Sequence, residues 1–260
     1  MKLPIFQVDA FAEELFQGNP AAVVSLENWL PDQLMQSIAL ENNLSETAFF
    51  VPTKAGFEIR WFTPKAEVDL CGHATLATAH TIFHEASYPS NKITFGSRSG
   101  ELTVVKKDEL LELNFPADHI NEIAEPTDLT NAIGLKPQKC FLGKTDYLFI
   151  CEKQEDIEQV NPDFGVLSKT GARGIIITAP GKEVDFVSRF FAPGVGINED
   201  PVTGSAHTTL TPYWADRLNK KELSAKQISE RGGKLQCILK GNRVLIAGKA
   251  KTYLRGEIFV

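Results

Sequence analysis

The sequence predicts a mixed α/β (α+β) protein of two pseudo-equivalent lobes, each with strands wrapped around a buried helix. Three observations predict it. Residues 57–62 (FEIRWF) place Phe57, Ile59 and Trp61 on one side and Glu58 and Arg60 on the other, the period of a half-buried strand. Gly72 then opens the run GHATLATAHTIF, which is helix-forming and apolar on nearly every side, as a helix covered on most faces would be. The same succession returns later. FVSRFFAP at 186–193 stands 129 residues after FEIRWFTP, and GSAHTTLTPYWADRL follows from Gly204 as the first helix follows from Gly72. The second loop is three residues longer, so Gly72 meets Gly204 and Ala74 meets Ala206 at an offset of 132. A repeat near 130 residues is too long for a solenoid and fits two homologous lobes.

The elements follow in order. Residues 3–11 and 20–26 read as two strands joined by a turn around Gly18 and Asn19. Pro31 opens a helix over 32–43 with Leu34, Met35 and Ile38 facing inward. A strand at 47–51 leads into the central strand, which Pro64 ends because it offers no N–H to a ladder. Residues 93–115 read as hairpins, and the polar, proline-bearing stretch 116–137 as the crossing between halves. The expected division is therefore an N-terminal lobe at 1–117 and a C-terminal lobe at 118–260. In the second half, a strand at 147–151, a short helix opened by Pro162 and Asp163, and a strand at 174–179 precede the second central strand and helix. Arg231-Gly232-Gly233-Lys234-Leu235 echoes Arg98-Ser99-Gly100-Glu101-Leu102.

With 43% hydrophobic and 23% charged residues, the 260-residue chain has the make-up of an ordinary globular protein. Its formal charge of −6 argues against nucleic acid or an anionic membrane as partner. No apolar run approaches the roughly 20 residues that a membrane span requires. Gln7 and Asp9 interrupt the first residues before a signal-like run can form, so a cytoplasmic protein is expected. Cys71, Cys140, Cys151 and Cys237 show neither disulfide-framework nor zinc-knuckle spacing and are expected to be reduced thiols.

Each buried helix begins at a glycine, and its first N–H groups have no partner within the helix. Such an end carries partial positive charge and holds a carboxylate or phosphate readily. Beside these ends stand Cys71 and His73 in the first half, and Asp200, Thr203 and Ser205 in the second. Pro201 would hold Asp200 extended. The helix dipole would bias His73 toward its neutral form. A plainer reading exists for each residue: close packing for the glycines, a core histidine at 73, a turn carboxylate at 200.

The motifs VDAFAEELFQGNPAAVV, NLSETAFF, RWFTPKAEVDLCGHAT and FFAPGVGINEDPVTGSAH, in this order along nearly the whole chain, resemble the phenazine-biosynthesis PhzF-like family. The resemblance implies the diaminopimelate-epimerase-like fold, with two pseudo-equivalent lobes and the active site in the cleft between them. It implies that Glu46 is the proton shuttle and that His73 and Asp200 are its polar partners. It places Gly72, Gly204 and Ser205 at substrate-facing helix ends, and Asn19 as a further substrate contact. It implies a homodimer, for which the sequence shows no interface signature.

Read from the residues alone, Glu46 is a strand carboxylate facing solvent. Its apolar neighbours, Leu44 and the run from Ala48 to Val51, would suit a carboxyl that both takes and returns a proton near neutral pH. The position before the helix-opening glycine is Cys71 in one half but Thr203 in the other. Diaminopimelate epimerase and the proline racemases commonly use a thiol at both, so two-thiol racemisation is not expected. His80 and His84 have the i, i+4 spacing of metal ligands but an apolar context, and no metal is expected. Arg60 and Arg189, at equivalent strand positions, read as structural pairing residues. No P-loop, dinucleotide fingerprint or nucleophile elbow is present.

The expected function is thus a cofactor-independent isomerase that moves a proton within a small anionic, carboxylate-bearing metabolite. The alternatives are a non-catalytic small-molecule binding or regulatory protein, and an amino- or hydroxy-acid epimerase using Cys71.

Overall fold

The computed structural model describes residues 1–85 and 88–260. They form two compact units, residues 1–114 together with 247–260, and residues 115–246.

In the first unit the strand Lys2–Ala10 runs antiparallel to both Asn19–Ser25 and Ala250–Phe259. The next pairings alternate: Asn19–Ser25 with Glu46–Thr53 parallel, Glu46–Thr53 with Gly56–Phe62 antiparallel, Gly56–Phe62 with Lys92–Ser97 parallel, and Lys92–Ser97 with Gly100–Lys107 antiparallel. Helix Gly72–Glu85 packs on this sheet and is buried at every position from His73 to Phe83. Its Ala-rich composition lets the strands approach from several sides. Helix Asp32–Asn42 turns Met35, Ile38 and Ala39 inward against Val24, Phe49 and Phe62. With both faces covered, strand residues Ala21 to Val24 are all buried, the continuous apolar run of a two-sided sheet. Burying each such Val or Phe stabilises the fold by about 1.5–3 kcal/mol.

The second unit repeats the alternation. Lys139–Leu142 and Asp146–Ile150 are antiparallel, Asp146–Ile150 and Gly174–Pro180 parallel, and Gly174–Pro180 and Phe186–Phe191 antiparallel. Phe186–Phe191 pairs in parallel with Glu222–Gln227, which is antiparallel to Gly233–Lys240. Helix Gly204–Leu218 stands between Phe186–Phe191 and Glu222–Gln227 in the chain, as Gly72–Glu85 does between its own strands. Pro212 lies inside that helix and cannot donate to the Thr208 carbonyl one turn earlier. The Asp118 N–H takes its place at 3.1 Å, and Thr209 Oγ1 donates to Asp118 Oδ2 at 2.9 Å, so the proline leaves that carbonyl satisfied.

Arg60 and Arg189 play matching structural parts. Arg60 donates to both oxygens of Glu67 at 2.7 Å and to Asp32 at 2.8 Å. Arg189 grips Glu199 through two bonds and donates to the carbonyls of Ile157 and Val160.

Three expectations need correction. The C-terminal lobe does not extend to residue 260: residues 247–260 belong to the first unit because Ala250–Phe259 pairs along the whole of Lys2–Ala10. The other boundary falls at 114/115 instead of 117/118. The stretch 116–137 is more than a crossing, since it contains the strand Asn121–Ile123 and the helix Thr127–Ile133. Among the described residues, no helix is long and apolar enough to cross a membrane.

Candidate active site

Glu46 is the first residue of its strand and stands opposite Ala21 in the parallel pairing. Asn19, two residues before Ala21, shares that face by the alternation of a strand. Gly18 precedes it at a positive φ of 69°, where a side chain would also run into the Ala10 carbonyl. Both strands thereby deliver a polar side chain to the N-terminal end of helix Gly72–Glu85. There the Cys71 carbonyl accepts bonds from Thr75 N at 3.1 Å and Thr75 Oγ1 at 2.6 Å.

His73 is the centre of the resulting cluster. Its Nε2 lies 3.1 Å from Glu46 Oε2. Its Nδ1 lies 3.3 Å from Asn19 Nδ2 and 3.6 Å from Cys71 Sγ. Cys71, His73 and Asn19 are buried, whereas the Glu46 side chain keeps 12% of its surface exposed. Burial alone opposes an imidazolium, but the Glu46 carboxylate in contact with the ring outweighs it and holds His73 above its ordinary value. This is opposite to the neutral bias expected from the helix dipole: a full carboxylate charge in contact outweighs a terminal half-charge. Burial, and then the Glu46 carboxylate, push the Cys71 thiol up, so it stays protonated at neutral pH. A carboxylate in contact with an imidazolium, at the partly open edge of a buried cluster, can take and return a proton beside a group that stabilises negative charge.

The second unit holds the other named residues in a different arrangement. Asp200, 8% exposed, accepts from Thr203 Oγ1 at 2.5 Å, and its own N–H donates to the Phe190 carbonyl. Gln227, fully buried, ties this loop together. It donates to the Asp200 carbonyl at 2.7 Å and to Thr203 Oγ1 at 3.2 Å, and accepts from Thr203 N at 2.9 Å. Gly204 and Ser205 open the helix, Gly204 buried and Ser205 exposed. His207 Nδ1 donates to the Thr203 carbonyl at 2.8 Å, as Thr75 bonds the Cys71 carbonyl in the first unit.

The structure therefore gathers Glu46, Cys71, His73 and Asn19 in the first unit and Asp200, Thr203, Gly204 and Ser205 in the second. Sequence reasoning missed Gln227. A lone glutamine among SAKQIS carries no motif, and only its three bonds reveal its part. The rings of His80 and His84 lie 4.4 Å apart, tilted at 39°, and His80 Nε2 meets Thr252 Oγ1 at 2.9 Å. Burial pushes His80 down to about 4, helped by His84, Lys106 and Lys251.

Comparison with known proteins follows the same lines. Residues 8–256 match the PhzC-PhzF family, described as phenazine biosynthesis-like protein. An uncharacterized isomerase of Pseudomonas aeruginosa is 52% identical over 259 residues, covering 99% of each chain. A crystal structure of a phenazine biosynthesis protein of the PhzF family from Enterococcus faecalis superposes with a TM-score of 0.97 at 49% identity, covering 100% of both chains. A hydroxyproline epimerase from Agrobacterium vitis shares the fold, with a TM-score of 0.65 at 10% identity over 99% of this chain and 92% of its own.

Proposed function

This chain belongs to the phenazine biosynthesis-like PhzC-PhzF family, and on that premise we propose that it is a cofactor-independent isomerase moving a proton between carbons of a small carboxylate-bearing metabolite. The observation that carries the reading is the contact of Glu46 with His73 at the edge of a buried cluster. In the forward step the Glu46 carboxylate takes a proton from a carbon next to an electron-withdrawing group, and the electron pair moves into an enol-like intermediate. The same carboxylic acid then gives the proton to another carbon, so substrate and product are isomers and no redox partner is needed.

The imidazolium of His73 and the helix end at Gly72 would stabilise the charge that develops in between. Asn19, beside the other nitrogen of the ring, is carried over from the family resemblance as a substrate contact. Asp200, Gly204 and Ser205 are carried over from the family resemblance as substrate-binding groups, with Gln227 and Thr203 positioning Asp200. The scattered free cysteines support a cytoplasmic setting, and the resemblance supports a homodimer and two lobes of common descent. The repeated alternation of strand pairings favours the last of these.

The experiment is a thermal-shift screen of small carboxylates, with each stabilising compound then incubated with the protein in D2O and followed by NMR. An isomerised product, or deuterium gained at carbon, supports the reading. A compound that stabilises the protein yet is recovered unchanged and undeuterated would instead make this a binding protein.

A further inference from the structure

We propose that Glu46 Oε2, Cys71 Sγ and His73 Nε2 form a binding site for a thiophilic divalent cation of the zinc type. Among the described residues these form the one group of three or more His, Cys, Asp or Glu side chains whose ligand atoms converge, all within 4.8 Å of one another. The donor set suits the ion: thiolate, imidazole and carboxylate are the ligands that zinc takes in proteins. The spacing suits it as well. With zinc–sulfur bonds of about 2.3 Å and zinc–nitrogen and zinc–oxygen bonds of about 2.0–2.1 Å, neighbouring ligand atoms of a tetrahedral site stand roughly 3.3–3.6 Å apart. Here Glu46 Oε2 is 3.1 Å and Cys71 Sγ 4.0 Å from His73 Nε2. The third edge, between Glu46 and Cys71, is within 4.8 Å, so the side chains must draw together as the cation binds.

Each ligand sits on a stiff support: Glu46 at the start of a strand paired on both sides, and Cys71 and His73 on either side of the helix-opening glycine. The other three cysteines are also buried but belong to no such group. As the metal bonds form, the Cys71 proton and the proton between His73 and Glu46 both leave to solvent, two protons released for each cation bound. Three protein ligands leave the fourth position to water. A bound cation would occupy Glu46 and so stop the proposed proton transfer. That consequence rests on the isomerase reading, but binding itself does not.

The test is a Co2+ titration of the chelator-treated full chain, without substrate, read by the thiolate-to-cobalt charge-transfer absorbance. The expected result is a band that saturates at one Co2+ per chain and is displaced by Zn2+. Cys71→Ala should abolish the band, and Glu46→Gln should weaken binding at least tenfold, with circular dichroism confirming that each variant is folded. No band in the wild type, or an undiminished band in Cys71→Ala, would overturn the proposal. Should Cys71→Ala not fold, an unchanged affinity in Glu46→Gln would overturn it equally. Because no turnover is measured, failure here leaves the isomerase reading standing, and the converse also holds.

Discussion

His73 Nε2 lies 3.1 Å from Glu46 Oε2, although one residue stands second in a helix and the other opens a strand. The contact makes a charged pair out of two residues whose plain sequence reading was a core histidine and a surface glutamate. It also gives the cluster a division of labour, with a carboxylate at the open edge and a cation behind it.

Cys71 is close to both, but burial and the Glu46 carboxylate keep it a thiol at neutral pH, which makes it a poor base. Cys71→Ala should therefore retain turnover within about tenfold of wild type, a loss of at most roughly 1.4 kcal/mol in transition-state stabilisation. Steady-state kinetics on a substrate found by the screen would check this. A loss of a thousandfold or more would make Cys71 a catalytic base and favour an epimerase.

Gln227 holds the Asp200 loop through three bonds inside a fully buried site. Gln227→Leu removes all three and strands Thr203 N and the Asp200 carbonyl. At about 1–3 kcal/mol for each of these two unsatisfied buried groups, the variant should lose roughly 2–6 kcal/mol of stability in urea unfolding. A loss below about 1 kcal/mol would mean that the loop has other supports.

The strand Ala250–Phe259 pairs with Lys2–Ala10 along its whole length. A chain ending at Gly248 would expose the N–H and C=O groups of that strand and uncover part of the first unit. Loss of cooperative unfolding, seen by circular dichroism on heating, is the expected outcome. A truncated chain that melts like wild type would show that the first unit does not need this strand.

Burial lowers His207 to about 4, so the folded chain keeps it neutral where the unfolded chain, near 6.5, takes up a proton. Its contribution is fully present above about pH 6.5 and is lost as pH falls through 4, a swing of roughly 3 kcal/mol for a shift of this size. His80 is displaced in the same direction, so His207→Gln should remove only part of the acid sensitivity. The check is urea unfolding at pH 7 and pH 4.5 for both proteins. An identical pH dependence in the two would refute the assignment to His207.

The central strand, its proline stop and the buried Ala-rich helix were legible because each leaves a local pattern, and their recurrence made the two-part architecture legible too. The final strand was not. Its residues alternate weakly, with only Ala250 buried, so no apolar periodicity marks it. That is also why the last residues were assigned to the wrong unit: strand pairing between the two ends of a chain has no sequence signal at either end. At the site, helix ends and motif residues could be named, but not their neighbours. The charge of His73 depends on a carboxylate brought up from another strand, and Gln227 reaches Asp200 from 27 positions away.

The most direct measurement is the comparison of wild type with Glu46→Gln in D2O, using a carboxylate that stabilises both proteins. Glu46→Gln preserves size and shape but cannot carry the proton. The expected result is unchanged thermal stabilisation by the ligand, with isomerisation and carbon deuteration seen only in wild type. Turnover by Glu46→Gln at the wild-type rate would contradict Glu46 as the proton shuttle.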